Sequence, residues 1–478
     1  MKTQSRFYLY FGLIFCSLIA LLIQFGTGTV AYSDSLADPV EPVRIFSSYY
    51  GGSTHECQFE ICVSTTDQAG NIYIAGSTNS DDFPLVAPYS AVFTPGSGKD
   101  IVVVKLEAGT KKVLYSTYIG RGVAQGIAVD SAGNVTVAGF TEDSNFPTTA
   151  KAAQKTHGGG AFDGVVFKLS SDGSTLLYST FLGGTDRELL FDVEVDTNGN
   201  IYVTGWTASA DFPTVNAAQV TFGGDQDAIV TKITSDGNLA YSTFMGGIKR
   251  DDGIGLELDG ESVTVIGRSG SDNFPVTPGV LQSVRDSTAG RDVVIFKLTP
   301  TGSLLASTFY GTERNTGGVD IGLDSAGNIY ALTIREGVIK LNSSLSKLLF
   351  QTDLEMTSSI DGQGGLVVDS EGIAFVTGWT GSGADTDVVL AAVGPNGQVL
   401  HYQTVGGSDR DFGYSLSLLE GNAGKKTAFI TGKTQSADFP VLNPIQASLS
   451  GTDDMLLIEI TNLENIGPKL IYLPLVVR

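Results

Sequence analysis

Residues Leu176 to Pro213 read LLYSTFLGGTDRELLFDVEVDTNGNIYVTGWTASADFP, and close variants of this stretch recur along almost the whole chain. Recurrence at a period of several tens of residues marks a repeat architecture. One supersecondary unit that cannot bury its own apolar face is stacked against copies of itself. The unit is built from strands. Val193, Val195, Ile201 and Val203 alternate with more polar neighbours, as a pleated strand with one buried face requires. Asn198, Gly199 and Asn200 between them are residues that tolerate positive φ, so they read as a turn.

Aligned along the chain, the unit has four parts. A first strand runs into an Asp-x-x-Gly-Asn turn at Asp67, Asp130, Asp196 and Asp324, with degenerate copies at Asp259 and Asp369 and a lengthened one after Glu420. Successive Asp positions are 63, 66, 63, 65 and 45 residues apart, so the fifth unit is the short one. A second strand leads to a Phe-Pro loop at Phe83-Pro84, Phe146-Pro147, Phe212-Pro213, Phe274-Pro275 and Phe439-Pro440, which units five and six lack. A third, strongly β-prone strand follows, and then a fourth of the Tyr-Ser-Thr-Phe type. Only six fourth strands follow a third one. The missing copy, Arg44 to Tyr50, sits at the other end of the chain. Seven four-stranded units whose first and last members are incomplete in complementary ways complete one another only in a closed ring, which also removes the edges an open stack would expose. The expected fold is therefore all-β: a seven-bladed β-propeller of four-stranded antiparallel blades over residues 44–462, closed by an N-terminal strand that completes the last blade.

The combination YSTFLGG (Tyr178 to Gly184), VDTNGNIYVTG (Val195 to Gly205) and DFP (Asp211 to Pro213) resembles the SBBP repeat, named for its seven-bladed β-propeller, of exported bacterial proteins. The resemblance runs over residues 44 to 460 and implies fold and export. It implies no reaction.

The two ends agree with export. Lys2 and Arg6 precede an apolar run from Phe7 to Phe25, and Thr29, Val30 and Ala31 form a small-x-small site, so residues 1–31 read as a secretory signal peptide. The run is also close to the length that crosses a bilayer, so an uncleaved anchor stays open, and the membrane enters only through that segment. Residues 32–43 then form a linker and 463–478 a C-terminal tail. The expected location is secreted or at the cell surface. Removing residues 1–31 takes away two cations and no acids, moving the formal charge from −22 to −24. A chain this acidic lacks the basic face that nucleic acid demands.

Chemistry is thinly marked. The loops joining each fourth strand to the next first strand carry Arg121, Arg187, Arg250, Arg314 and Arg410. One reading is a ring of arginines at the channel mouth that binds an anionic ligand by bidentate hydrogen bonds. The other is that each pairs with a neighbouring carboxylate and ties adjacent blades, since a feature repeated in most blades solves a problem every blade has. Cys57 and Cys62, the cysteines left after processing, form either a local disulfide or two half-buried thiols, and geometry decides. The repeated turn aspartates offer one carboxylate per loop, short of the six or more oxygens Ca²⁺ takes, so they read as caps of their own turns; no cofactor is expected, and Ca²⁺ stays the open alternative. His55, His157 and His401 fall at unrelated points in the repeat, so no zinc site or catalytic triad is indicated. The expected function is a non-enzymatic binding or structural propeller engaging a protein or glycan. The alternative is an extracellular glycosidase or lyase using acids at the channel mouth.

Overall fold

A computed structural model describes residues 41–466, apart from 58–60, 95, 97, 287–289, 312–315, 355, 357–363 and 422–423. The signal peptide expected over residues 1–31 and the end of the expected C-terminal tail lie outside these residues. Seven sheets of four antiparallel strands stand in a ring, and almost no helix accompanies them. No helix among the described residues is long and apolar enough to cross a membrane.

Blade 3 shows how the unit is made. Its strands run outward from the axis as Glu188–Val195, Ile201–Thr207, Asp227–Ile233 and Leu239–Met245. The two middle strands are buried along their whole length, so they carry apolar residues on both faces. The innermost strand presents one edge to the axis and is only half-buried.

The Asp-x-x-Gly-Asn turns work as caps of their own backbone. Asp67 Oδ1 accepts the N–H of Ala69 and of Asn71, at 3.0 and 2.9 Å, and Oδ2 accepts Asn71 Nδ2 at 2.8 Å. The same bonds recur at Asp130, Asp196 and Asp324. Gly70, Gly133, Gly199 and Gly327 hold φ between 73° and 81°, which only glycine adopts without strain.

Each Phe of the Phe-Pro loops is buried against an aromatic of an outermost strand: Phe83 on Tyr118, Phe146 on Phe181, Phe212 on Phe244, Phe274 on Phe309, and Phe439 on Tyr49. So anchored, the loop turns back along the outer edge of its blade. Ser116 donates its N–H to Val86 O and Ser242 to Val215 O, both at 2.8 Å, and Ser47 to Leu442 O at 2.9 Å. The loop thereby covers strand edges that would otherwise template aggregation. Blades 5 and 6 replace it with tight connections, Thr333 to Gly337 and Ser382 to Asp385.

The outermost strand of blade 7 comes from the other end of the chain. Val43–Tyr50 lies antiparallel to Asp454–Thr461, with Tyr50 opposite Met455 and Val43 opposite Thr461. Blade 7 meets blade 1 where Ser64 N–H donates to Ser415 Oγ at 3.0 Å and Thr431 Oγ1 donates to Cys62 O at 3.2 Å. Beside this seam Cys57 and Cys62 are joined as a disulfide, with Cα atoms 5.7 Å apart. Its loop is short, so in the chain-entropy account it contributes about 2 kcal/mol. Reduction is expected to lower the melting temperature by about 2 °C, read by differential scanning fluorimetry with and without dithiothreitol.

Candidate functional site

The innermost strands of all seven blades surround a central channel of about 590 Å³. Their edges are not paired with one another as in a sheet, so side chains fasten them. Asp192 Oδ2 accepts the N–H of Leu256 from blade 4 at 2.8 Å, and Asp320 Oδ2 accepts that of Leu366 from blade 6 at 2.7 Å. Between these acids stand glycines. A Cβ on Gly126 would come within 2.7 Å of Asp192 Cα, and one on Gly365 within 2.7 Å of Leu416 N, so glycine lets neighbouring strands approach.

Four acids line one side of the channel: Asp192 and Glu194 of blade 3, Glu257 of blade 4 and Asp320 of blade 5. Burial pushes Glu257 and Asp320 up to about 7 and raises Asp192 and Glu194 well above the carboxylate range. Mutual repulsion adds to the rise at Asp192, Glu194 and Glu257. The nearby cation, Arg268, is committed to Asp252 at 2.9 Å. The opposite side is neutral, with Ser64, Thr65, Thr66, Ser415 and Ser417. The acidic side continues to a smaller cavity of about 320 Å³ at the rim, lined by Glu257, Asp259, Asp324 and Asp369. Sequence reading did not find this wall. One signal was present: Asp192 and Asp320 each interrupt an apolar strand four residues before its turn Asp.

The loops joining second to third and fourth to first strands share one face, and there the arginines sit. Arg121 Nε lies 3.5 Å from Glu142, and Arg187, 55% exposed, lies 3.6 Å from Asp186. Arg250 Nε donates to Gln226 Oε1 at 3.2 Å, and Arg410 Nε to Gly383 O at 3.1 Å. These four stand one per blade junction, and none lines the channel, whose arginine is Arg268. Arg314 lies outside the described residues.

At three of these junctions the tie is made by the acid that follows the arginine: Glu188, Asp251 and Asp411. Glu188 Oε1 accepts Thr207 Oγ1 at 2.5 Å, and Oε2 accepts Gly184 N–H at 3.0 Å. Asp251 binds Ser269, Ser271 and Gly247 in the same way, and Asp411 binds Ser436 and Gly407. At the seam Glu56 binds Thr78, Ser80 and Gly52. A second carboxyl faces each of two of these acids across a glycine. A Cβ on Gly51 would fall 2.6 Å from Glu56 Oε2 and 2.7 Å from Asp454 Oδ1, and one on Gly183 would fall 2.5 Å from Glu188 Oε2 and 3.0 Å from Asp163 Oδ2. Burial, with a smaller push from the facing Asp454 and Asp163, drives Glu56 up to about 8 and Glu188 up to about 7.

The SBBP family model, described as a beta-propeller repeat, matches residues 65–84 and 191–213. Comparison with curated proteins finds no match. Among solved structures the chain is similar to a protein of unknown function from Bacteroides caccae, at 12% identity and a TM-score of 0.36 over 66% of this chain and 92% of that one. It is also similar to BamB from Moraxella catarrhalis, at 12% identity and a TM-score of 0.36 over 80% of this chain and 95% of that one. The two matched segments each span an Asp turn, a second strand and the start of a Phe-Pro loop, in blades 1 and 3. The ring in which they stand is a seven-bladed β-propeller, and two of its blades carry segments that match the SBBP beta-propeller repeat.

Proposed function

We propose that this protein is an exported, non-enzymatic binding propeller that engages a protein or glycan with its loop face. The reading rests on one asymmetry. One face is made of tight self-capped turns, while the loops of the other side expose Val92, Val220 and Val284 at 72, 69 and 70% and also carry the exposed Arg187 and Arg410. Exposed apolar side chains mixed with arginine on loops held by a rigid frame are the make-up of recognition surfaces. The N-terminal signal segment supports export.

A glycan array and a pull-down with residues 32–478, run with and without Ca²⁺, are expected to yield a ligand. The double variant Arg187→Ala/Arg410→Ala is expected to weaken its capture about tenfold or more with the melting temperature unchanged. Undiminished capture would move the site off this face. The acids inside the channel favour a second reading, a carbohydrate-active enzyme. New reducing ends released from a glycan by the wild type and not by Glu257→Gln would select it.

A further inference from the structure

We propose that the central channel is a binding site for an organic cation, an alkylammonium group carried either by a free polyamine or by a lysine side chain of a partner. This goes beyond the loop-face reading and does not depend on it.

The first observation is a wall of acids with no cation paired to it. Asp192, Glu194, Glu257 and Asp320 come from three successive blades and line one wall. Asp192 accepts the N–H groups of Val193 and Leu256, and Asp320 those of Ile321 and Leu366. Glu194 and Glu257 are each held by the N–H of the residue that follows, Val195 and Leu258. None of the four is in an ion pair among the described residues, and Arg268, which faces them from the second strand of blade 4, is held by Asp252.

The second observation is independent of the acids. Gln125, on the innermost strand of blade 2, is 8% exposed, lines the channel, and has no hydrogen-bond partner among the described residues. It lies next to Gly126, whose Cα packs against Asp192. The Gln125 amide opens onto the channel, so whatever fills the channel supplies its hydrogen-bond partners. An ammonium group, with three donors and no acceptor, would give Gln125 Oε1 and the Glu194 carboxylate what they lack.

The wall also selects the kind of cation. Among the described residues no group of three or more His, Cys, Asp or Glu side chains converges as a metal site would. The remaining lining includes Ile127, Ile254 and Ile321, against which a methylene stem can lie. The acidic rim at Asp259, Asp324 and Asp369 would concentrate cations at one mouth.

Because burial raises these carboxyls above the ordinary range, a bound ammonium displaces the protons they hold, and affinity rises with pH. Isothermal titration at pH 6 and pH 8 with putrescine, spermidine and a glycine-flanked lysine peptide tests this. Binding of at least one amine is expected, about tenfold tighter at pH 8, with proton release visible as a buffer-dependent heat. Binding of the free amines points to a polyamine, and binding of the peptide alone points to a partner's lysine. Glu194→Gln/Glu257→Gln should weaken binding about 100-fold while keeping or raising the melting temperature, which separates a lost site from a lost fold. No amine binding at millimolar concentration and pH 8, tighter binding of MgCl₂ or CaCl₂ than of any amine, or an affinity unmoved by the double variant would each overturn the proposal.

Discussion

Deleting residues 41–50 is expected to abolish cooperative unfolding and drive the protein into aggregates. The segment holds Val43–Tyr50, which supplies the outermost strand of blade 7. It buries Phe46, Tyr49 and Tyr50, each contributing about 2 to 3 kcal/mol by area alone. Tyr49 OH donates to Ser436 O at 2.7 Å within blade 7, whereas Tyr50 OH donates to Pro84 O at 2.8 Å in blade 1. The strand therefore holds its own blade and fastens that blade to the next. Its loss bares the whole edge of Asp454–Thr461, a run rich in β-prone apolar residues. Calorimetry and size-exclusion chromatography read the outcome, and a synthetic peptide of residues 41–51 should restore a cooperative transition. A truncated monomer melting within a few degrees of the wild type would show that the ring does not depend on this strand.

Stability is expected to fall as pH rises from 5 to 8, the reverse of the usual carboxylate behaviour. Burial raises Glu56 to about 8 and Glu188, Asp227, Glu257 and Asp320 to about 7, while unfolded carboxyls titrate near 4. Between those values the folded state binds more protons than the unfolded one, so each such group withdraws stability as pH climbs through the window. The turn acids Asp130, Asp196 and Asp324 act the other way. Burial pushes them up, but hydrogen bonds from Asn134, Asn200 and Asn328 outweigh it and leave them lowered, so their stabilisation is lost only as pH falls below about 4. The optimum should lie near pH 4 to 5, with the melting temperature about 5 °C or more higher at pH 5 than at pH 8. Net self-repulsion has the same sign, so Glu56→Gln separates the two: it should raise the melting temperature at pH 8 and flatten the profile. A profile that rises from pH 5 to 8 would contradict the assignment.

The blade was legible in sequence because its signals are local. Asp196, Gly199 and Asn200 define a turn that caps itself, and it read correctly from neighbours in the chain. The channel wall was not legible because Asp192, Glu257 and Asp320 are more than 60 residues apart and meet only through the ring. The arginine loops fall between these cases. Repetition marked Arg187 and Arg410, but the work of joining blades belongs to Glu188 and Asp411, one residue on, and a single step along a strand reverses which side chain is buried.

The glycines between the innermost strands have a consequence for the size of the ring. At the position that approaches the neighbouring blade, the side chains read, from blade 1 to blade 7, Val63, Gly126, Asp192, Gly255, Asp320, Gly365 and Ser415. Bulky and bare positions take turns, so every glycine is flanked by two substituted partners. An odd-membered circle cannot keep such a two-colour pattern without one mismatch. Here the mismatch falls between Ser415 and Val63, the place where the two halves of the circuit meet, and a compact hydroxyl there makes the defect tolerable. Six or eight members would satisfy the parity outright, so the prime count carries a built-in frustration that this junction absorbs.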